Sequence, residues 1–291
     1  MMAMKSVHDA DVPLFQLCRL VYQEVLTKVY EEKRPRASID KLLADDTYRY
    51  EELPASVVRL SGISKEQLTR LVQWKITHGI NRPFLPSMVQ KNTDSEVKEH
   101  TESATQQLKL SWQQADSEII QVVMKALDLI CKLKGVGPAT GSLVLSVIKP
   151  DIVPFFEDEL FAWLCPEHMS KLKYDKKEYR MLLERALKVM RKQQVLSFDL
   201  EQAAFVLMNA KHLTEAQKAQ ISSSEGSERL HIDLADNCSL QQAVERPKNT
   251  KKATTLKGES SAIKSKGVSR ARSPVEIRRS KRRRIEDQKD G

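Results

Sequence analysis

Aromatic residues make up only 5% of this 291-residue chain, and glycines number nine. Strands favour aromatic and β-branched residues, and hairpin turns consume glycine, so this scarcity disfavours an all-β fold. Cysteine is scarce too. Cys18, Cys131, Cys165 and Cys238 include no C-x-x-C pair. That excludes a four-cysteine zinc motif and a four-cysteine iron–sulfur motif. The expectation is a reduced, intracellular chain with no metal or other cofactor, in which Cys131 is a small core residue. No apolar run approaches the roughly 18 residues of a membrane span, and no signal peptide is recognisable, so no membrane partner is expected.

Net charge is also missing from most of the chain. The overall value is +9, but residues 246–291 hold 16 Lys/Arg against 5 Asp/Glu, a net of +11. Residues 1–245 therefore carry −2. A basic tail attracts nucleic acid or acidic receptors, and says nothing about the fold.

What is present is helical periodicity. Asp11 to Glu31 reads as a helix, with Pro13 near its start and an apolar stripe through Leu14, Cys18, Val25 and Val29. Short helices are expected after Ser38 and at Pro54–Val58. Ser64, with Gln67 three residues on, is a capping-box pattern opening a helix that Gly79 ends. Ser95–Leu110 reads as an exposed helix, and Asp116 or Ser117 as the cap of the next. Ile152–Phe156 is a short apolar run that Pro154 bars from a central strand, so an extended buried segment is expected. Asp175 caps a long helix, and Asp199 starts the last one. These place a folded domain at 10–212, a poorly ordered linker at 213–245 and a disordered basic tail at 246–291.

One stretch organises the rest: Leu133-Lys134-Gly135-Val136-Gly137-Pro138-Ala139-Thr140-Gly141. Apolar-periodic runs lead into and out of it, and the turn between them is too short for a linker. Gly135 and Gly137 permit unusual backbone angles and close approach, and Pro138 suits a first helical position. Helix, tight glycine turn, helix is the expected structure. The second helix's free N-terminal amides then make a phosphate site. The alternative is a packing device without a ligand.

Leu133, Gly135, Val136, Gly137, Thr140, Leu143 and Val144 stand as in the helix–hairpin–helix motif of DNA-binding proteins, which the stretch resembles. Gly141 stands where that motif usually has alanine. The resemblance implies a DNA phosphate held by the hairpin amides, with Gly135, Val136, Gly137, Ala139 and Thr140 as contacts and no base reading. The order hairpin, helix, extended segment, then Asp158 also resembles the helix–hairpin–helix DNA glycosylases. There an aspartate at this spacing stabilises the sugar cation when a flipped base is cut from its sugar. Asp158 is the catalytic candidate on that basis. Glu157 and Glu159 flank it, and the acidic trio equally suits a helix start. Members with lyase activity carry a lysine two residues after the second glycine; here it is Ala139, which points to a monofunctional enzyme.

Trp74-Lys75, His78-Gly79 and Arg82-Pro83 add a Trp able to stack on a base and two cations able to meet phosphates. A half-buried Trp beside a snorkelling Lys is the alternative. Together with the hairpin and the Pro154-Phe155…Asp158-Glu159 stretch, these residues resemble the Amun-like eukaryotic nuclear proteins, over roughly residues 10–210. That likeness implies an all-α, two-lobed glycosylase-like fold and a nuclear location. Arg278, Arg279, Lys281, Arg282, Arg283 and Arg284 form a dense basic run suited to an importin groove. The expectation is a monomeric nuclear protein that binds double-stranded DNA, damaged or abasic, with base excision as its reaction. The alternatives are an inactive DNA- or chromatin-binding adaptor and a protein-interaction scaffold.

Overall fold

Side chains at the helix starts show how locally this chain is specified. Asp11 accepts a hydrogen bond from the Leu14 amide at the head of helix α1, Val12–Lys33. Ser38 does the same for Lys41 at α2, Ile39–Thr47. Full capping boxes open α4 (Lys65–His78, Ser64 with Gln67), α6 (Asp94–Gln107, Thr93 with Glu96) and α10 (Lys176–Gln193, Asp175 with Glu178). A π-helical turn, Tyr48–Glu52, joins α2 to α3, Leu53–Leu60. The short α5 spans Leu85–Val89, α7 Asp116–Ile130, α8 Pro138–Ile148, α9 Asp158–Leu164 and α11 Ser197–Met208. The computed structural model describes residues 10–34 and 38–223, and among them regular structure is helical with no strand.

Four local expectations change. The cap of α7 is Ala115, without a side-chain bond; Asp116 instead pairs with Arg191 of α10. Asp199 is the third residue of α11, not its start, and its carboxylate accepts from the Leu196 amide at 2.9 Å. The polar α6 still buries Val97, Thr101 and Ala104, and packs along α7. Past His212, a capping box at Thr214 opens a further helix, α12 (Glu215–Ser222), which buries Ile221 and meets α1. The expected linker at 213–245 thus begins with ordered helix.

Helix α1 lies along α11, which also carries α9. Helix α8 touches α3, α4, α6, α7 and α10, and its residues Ala139–Val147 are all buried, as an all-round apolar helix must be. The buried apolar side chains form one continuous cluster from α1 to α12. Within it sits a buried ion pair. Arg49, on the π-helical turn, donates from Nη2 to Glu201 Oε2 at 2.7 Å and to Ser146 Oγ at 2.9 Å, joining α8 and α11 to that turn. Its guanidinium also lies over the Tyr50 and Phe198 rings, 4.1 and 4.4 Å from their centroids. No helix among the described residues is long and apolar enough to cross a membrane.

Candidate functional site

The glycine turn takes the expected helix–turn–helix form between α7 and α8. Gly135 has φ +78°, the left-handed region, and a Cβ there would come within 2.7 Å of Met88 Cβ on α5. Gly137 caps α8 in extended geometry with no side-chain cap, and its carbonyl accepts from the Gly141 amide at 2.7 Å. It is exposed, and a Cβ added there would meet nothing within 4 Å. The amides of Ala139 and Thr140 lie in the first turn of α8, where a helix supplies no acceptor. Their side chains are buried, so only their backbone faces a ligand. The Val136 amide donates to the Leu133 carbonyl at 3.1 Å, and the side chain is buried, which removes Val136 from the contact set.

A residue the sequence gave no sign of holds this turn. Asn92 is buried and brackets Lys134: its Oδ1 accepts from the Lys134 amide at 2.8 Å, and its Nδ2 donates to the Lys134 carbonyl at 3.0 Å. A second Nδ2 bond, 2.8 Å to the Val89 carbonyl, ties the turn to the end of α5.

The segment after α8 is buried over Ile152–Glu157 and leaves the turn as irregular, non-helical chain from Val153. Its backbone is satisfied by side chains, as buried chain outside regular structure requires. The Phe155 amide donates to Glu201 Oε1 at 2.8 Å, and the Phe156 amide to Ser142 Oγ of α8 at 2.9 Å. The Tyr179 hydroxyl donates to the Pro154 carbonyl at 3.1 Å. The helix carrying the hairpin amides and the segment leading to Asp158 are therefore bonded directly to each other.

Asp158 opens α9 on the wall of a cleft of about 380 Å³, open to solvent, that Lys75, His78, Arg82, Phe155, Glu157 and Tyr174 also line. The Tyr174 hydroxyl donates to Asp158 Oδ1 at 2.7 Å, and Arg82 stands 4.9 Å from the Tyr174 ring centre. Tyr174 itself sits at φ +59°, a left-handed angle unusual for a tyrosine. The neighbouring acids divide their roles. Glu157 is buried, 5% exposed, and neither carboxyl oxygen has a hydrogen-bond partner among the described residues. Burial pushes its pKa well above the ordinary carboxylate value, aided by the charge of Glu201. Asp158 is half-exposed and bonded, and it is the acid of the pair that the cleft presents.

Lys75 and Arg82 both reach the cleft. Lys75 is half-buried on α4 and makes no hydrogen bond or ion pair among the described residues. Burial, and then the adjacent Arg82 cation, lower its pKa to about 8, with the Asp158 carboxylate opposing them. Trp74 does not line the cleft. It is 1% exposed, its indole donates to Asp46 Oδ1 at 3.1 Å, and it stacks on His78 with ring centres 4.6 Å apart. No base can reach it. The helical period that puts Lys75 at the rim turns its neighbour into the core. His78 is buried against Trp74 and Phe205, and burial takes its pKa down to about 3, so it stays neutral.

Tyr174 was also absent from the sequence reading, because nothing local to Leu172–Asp175 marks it. Among the described residues, no group of three or more His, Cys, Asp or Glu is placed to hold a metal ion. The basic run Arg278, Arg279, Lys281, Arg282, Arg283 and Arg284 lies outside the described residues. Comparison with protein-family models, with curated proteins and with solved structures finds no match to this chain.

Proposed function

We propose that this chain is a nuclear DNA-binding protein with a helix–hairpin–helix, DNA-glycosylase-like fold, and that it releases damaged bases as an N-glycosylase with Asp158 as its carboxylate. The observation that carries this reading is the direct link between hairpin and acid. The Ser142–Phe156 hydrogen bond couples the helix with free N-terminal amides to the segment that presents Asp158 in a cleft. Amides of Gly137, Ala139 and Thr140 hold a backbone phosphate without reading sequence. Breaking the bond between base and sugar builds positive charge on the sugar, and a fixed carboxylate in a partly desolvated cleft stabilises it. Tyr174 holds that carboxylate in place, and Arg82 meets the flanking phosphate. The basic run at Arg278–Arg284 is the importin-binding segment of the proposal.

The test measures chemistry, because the tail would give binding to any DNA. Full-length protein is incubated with duplexes carrying a panel of base lesions, and free base is measured. Asp158→Asn is expected to lower release by about a hundredfold or more. A wild-type protein that releases no base from any lesion overturns the enzyme reading and leaves a DNA-binding adaptor.

A further inference from the structure

Three of the seven large apolar side chains exposed among the described residues fall within nine residues of one another: Ile80, Phe84 and Met88. Phe84 is 56% exposed and Ile80 54%. Single exposed apolar residues are ordinary, but such a concentration marks a contact surface. The strip is also held in place. The Met88 amide donates to the Phe84 carbonyl at 3.2 Å, so the two side chains stand one helical turn apart on the same face of α5. Asn92 fixes the end of α5 to the glycine turn, and Gly135 packs so closely on Met88 that a Cβ there would come within 2.7 Å of its own. At its other end the strip runs into the cleft, which Ile80 and Arg82 line. The strip therefore bridges hairpin and cleft, and the proposed base release gives it no task.

The surrounding charge indicates the partner. Lys91, Lys132 and Lys134 are exposed at the hairpin end, where the Lys134 ammonium donates to the Lys91 carbonyl at 3.3 Å and stands 3.7 Å from Glu96. Arg82 stands at the cleft end, two residues before Phe84. Cations at both ends of an apolar strip suit a polyanion that has apolar faces. An intact duplex does not offer them, because its base faces are covered by their stacked neighbours and its outer surface is phosphate and sugar. Unpaired bases do, and an aromatic ring accepts any of them, since every base has a π-face.

We propose that Ile80, Phe84 and Met88 form a platform for unpaired nucleotides, with Phe84 stacked on a base, so that the DNA this chain prefers has a single-stranded stretch beside the phosphate held by the hairpin. The inference rests on the DNA-binding reading above. Ile80 and Met88 cover the edges of the stacked base. Lys91, Lys132 and Lys134 meet phosphates on the hairpin side, and Arg82 meets one on the cleft side. The platform reads no sequence, because stacking tolerates any base.

The test gives full-length protein two DNAs of equal length: a fully paired duplex, and the same duplex with a central run of mismatched thymines. Both carry the same number of phosphates, so the basic tail contributes about equally to each. Fluorescence anisotropy at about 200 mM salt, where tail contacts are weakened, gives the two affinities. The unpaired DNA is expected to bind about tenfold tighter or more, as stacking of one base supports. Phe84→Ala is expected to remove that preference and Phe84→Trp to keep it; the side chain is exposed, so neither change opens the core. In a second measurement 5-iodouracil replaces one unpaired thymine, and light-induced cross-links in the wild-type protein are mapped by peptide mass. A link to Phe84 is expected. Equal affinity for the two DNAs, a preference that Phe84→Ala retains, or cross-links only outside residues 80–88 overturns the platform, leaves the strip to a protein partner and keeps the DNA-binding reading. Failure to bind either DNA overturns both.

Discussion

Asp46 is a buried carboxyl group whose bonded partners are both neutral. The Tyr22 hydroxyl and the Trp74 indole each donate to Oδ1 at 3.1 Å. Burial pushes its pKa up to about 7, while those two donors and the field of Arg49 pull the other way and Glu51 adds to the rise. Folded protein thus holds a proton on Asp46 in a window where the unfolded chain has released it. The stability this contributes is complete below about pH 4 and is lost as pH rises through 7. His78, stacked on the Trp74 that donates to Asp46, works in the opposite sense. Its pKa falls from 6.5 to about 3, so the unfolded chain takes up a proton first and stability is lost as pH falls through that range. Asp46→Asn keeps an acceptor for Trp74 and cannot ionise. We predict that its stability relative to wild type improves by a few kcal/mol between pH 4.5 and 7.5. Urea melts of both proteins at the two pH values check this; a constant difference would mean that Asp46 is ionised throughout. The same pair of bonds explains why a tryptophan with the look of a base-stacking residue belongs to the core.

The three glycines of the hairpin separate at the level of the element. Gly135 needs its positive φ, and a methyl group there would strike the backbone-anchored Met88 Cβ at 2.7 Å. Gly141 faces side-chain ends, Leu127 Cδ1 at 2.7 Å and Cys131 Sγ at 3.2 Å, which can give way. Gly137 has open space and an extended φ. Gly135→Ala is therefore expected to cost about 1–3 kcal/mol of stability, and Gly137→Ala less than about 0.5 kcal/mol. Gly137→Asp should fold as well as wild type yet bind duplex DNA more weakly, because it sets a negative charge at the phosphate site. Thermal melts and a binding titration read the two effects apart; unchanged affinity would remove the hairpin from the DNA interface. Elements of this kind were legible from sequence because their signals are short-range. The Ser64–Gln67 box spans three residues, and Pro138 and the two turn glycines are adjacent. Ile152–Phe156 was readable as buried chain outside a sheet because Pro154 forbids a central strand. The cleft was half legible. Asp158 lay at a recognisable distance from the hairpin, but its partner Tyr174 comes from the far side of α9, and Asn92 reaches the hairpin from 42 residues away. Glu201 satisfies the Phe155 amide across 46 residues. Contacts of that range leave no periodic trace. Trp74 shows the converse failure, since its type suggested a ligand while its helical phase put it inside.

For the whole molecule, the distribution of charge decides how the proposed DNA binding would divide between its parts. The net of −2 on residues 1–245 gives that part of the chain little long-range attraction for a polyanion, while residues 246–291 carry +11. Tail contacts release condensed counterions, so their contribution falls steeply with salt; each neutralised phosphate steepens the logarithmic slope by roughly 0.9. Hairpin amides holding a phosphate, as proposed, would do so through dipoles and hydrogen bonds and release few counterions, so their contribution would survive as salt rises. The two parts should therefore separate in one titration series. Full-length protein is expected to lose affinity for duplex DNA by orders of magnitude between about 50 and 200 mM salt. A chain ending at residue 245 should bind more weakly at the low end but with a shallow slope, so that the two curves converge at the high end. Gly137→Asp in the shortened chain should lower that shallow curve without changing its slope. Parallel curves for the long and short chains would show that the tail makes no contact with DNA and is left to importin binding alone. A shortened chain that keeps the steep slope would locate the phosphate contacts on lysines of the domain surface, such as the exposed Lys132 and Lys134 beside the turn, rather than on the amides of α8.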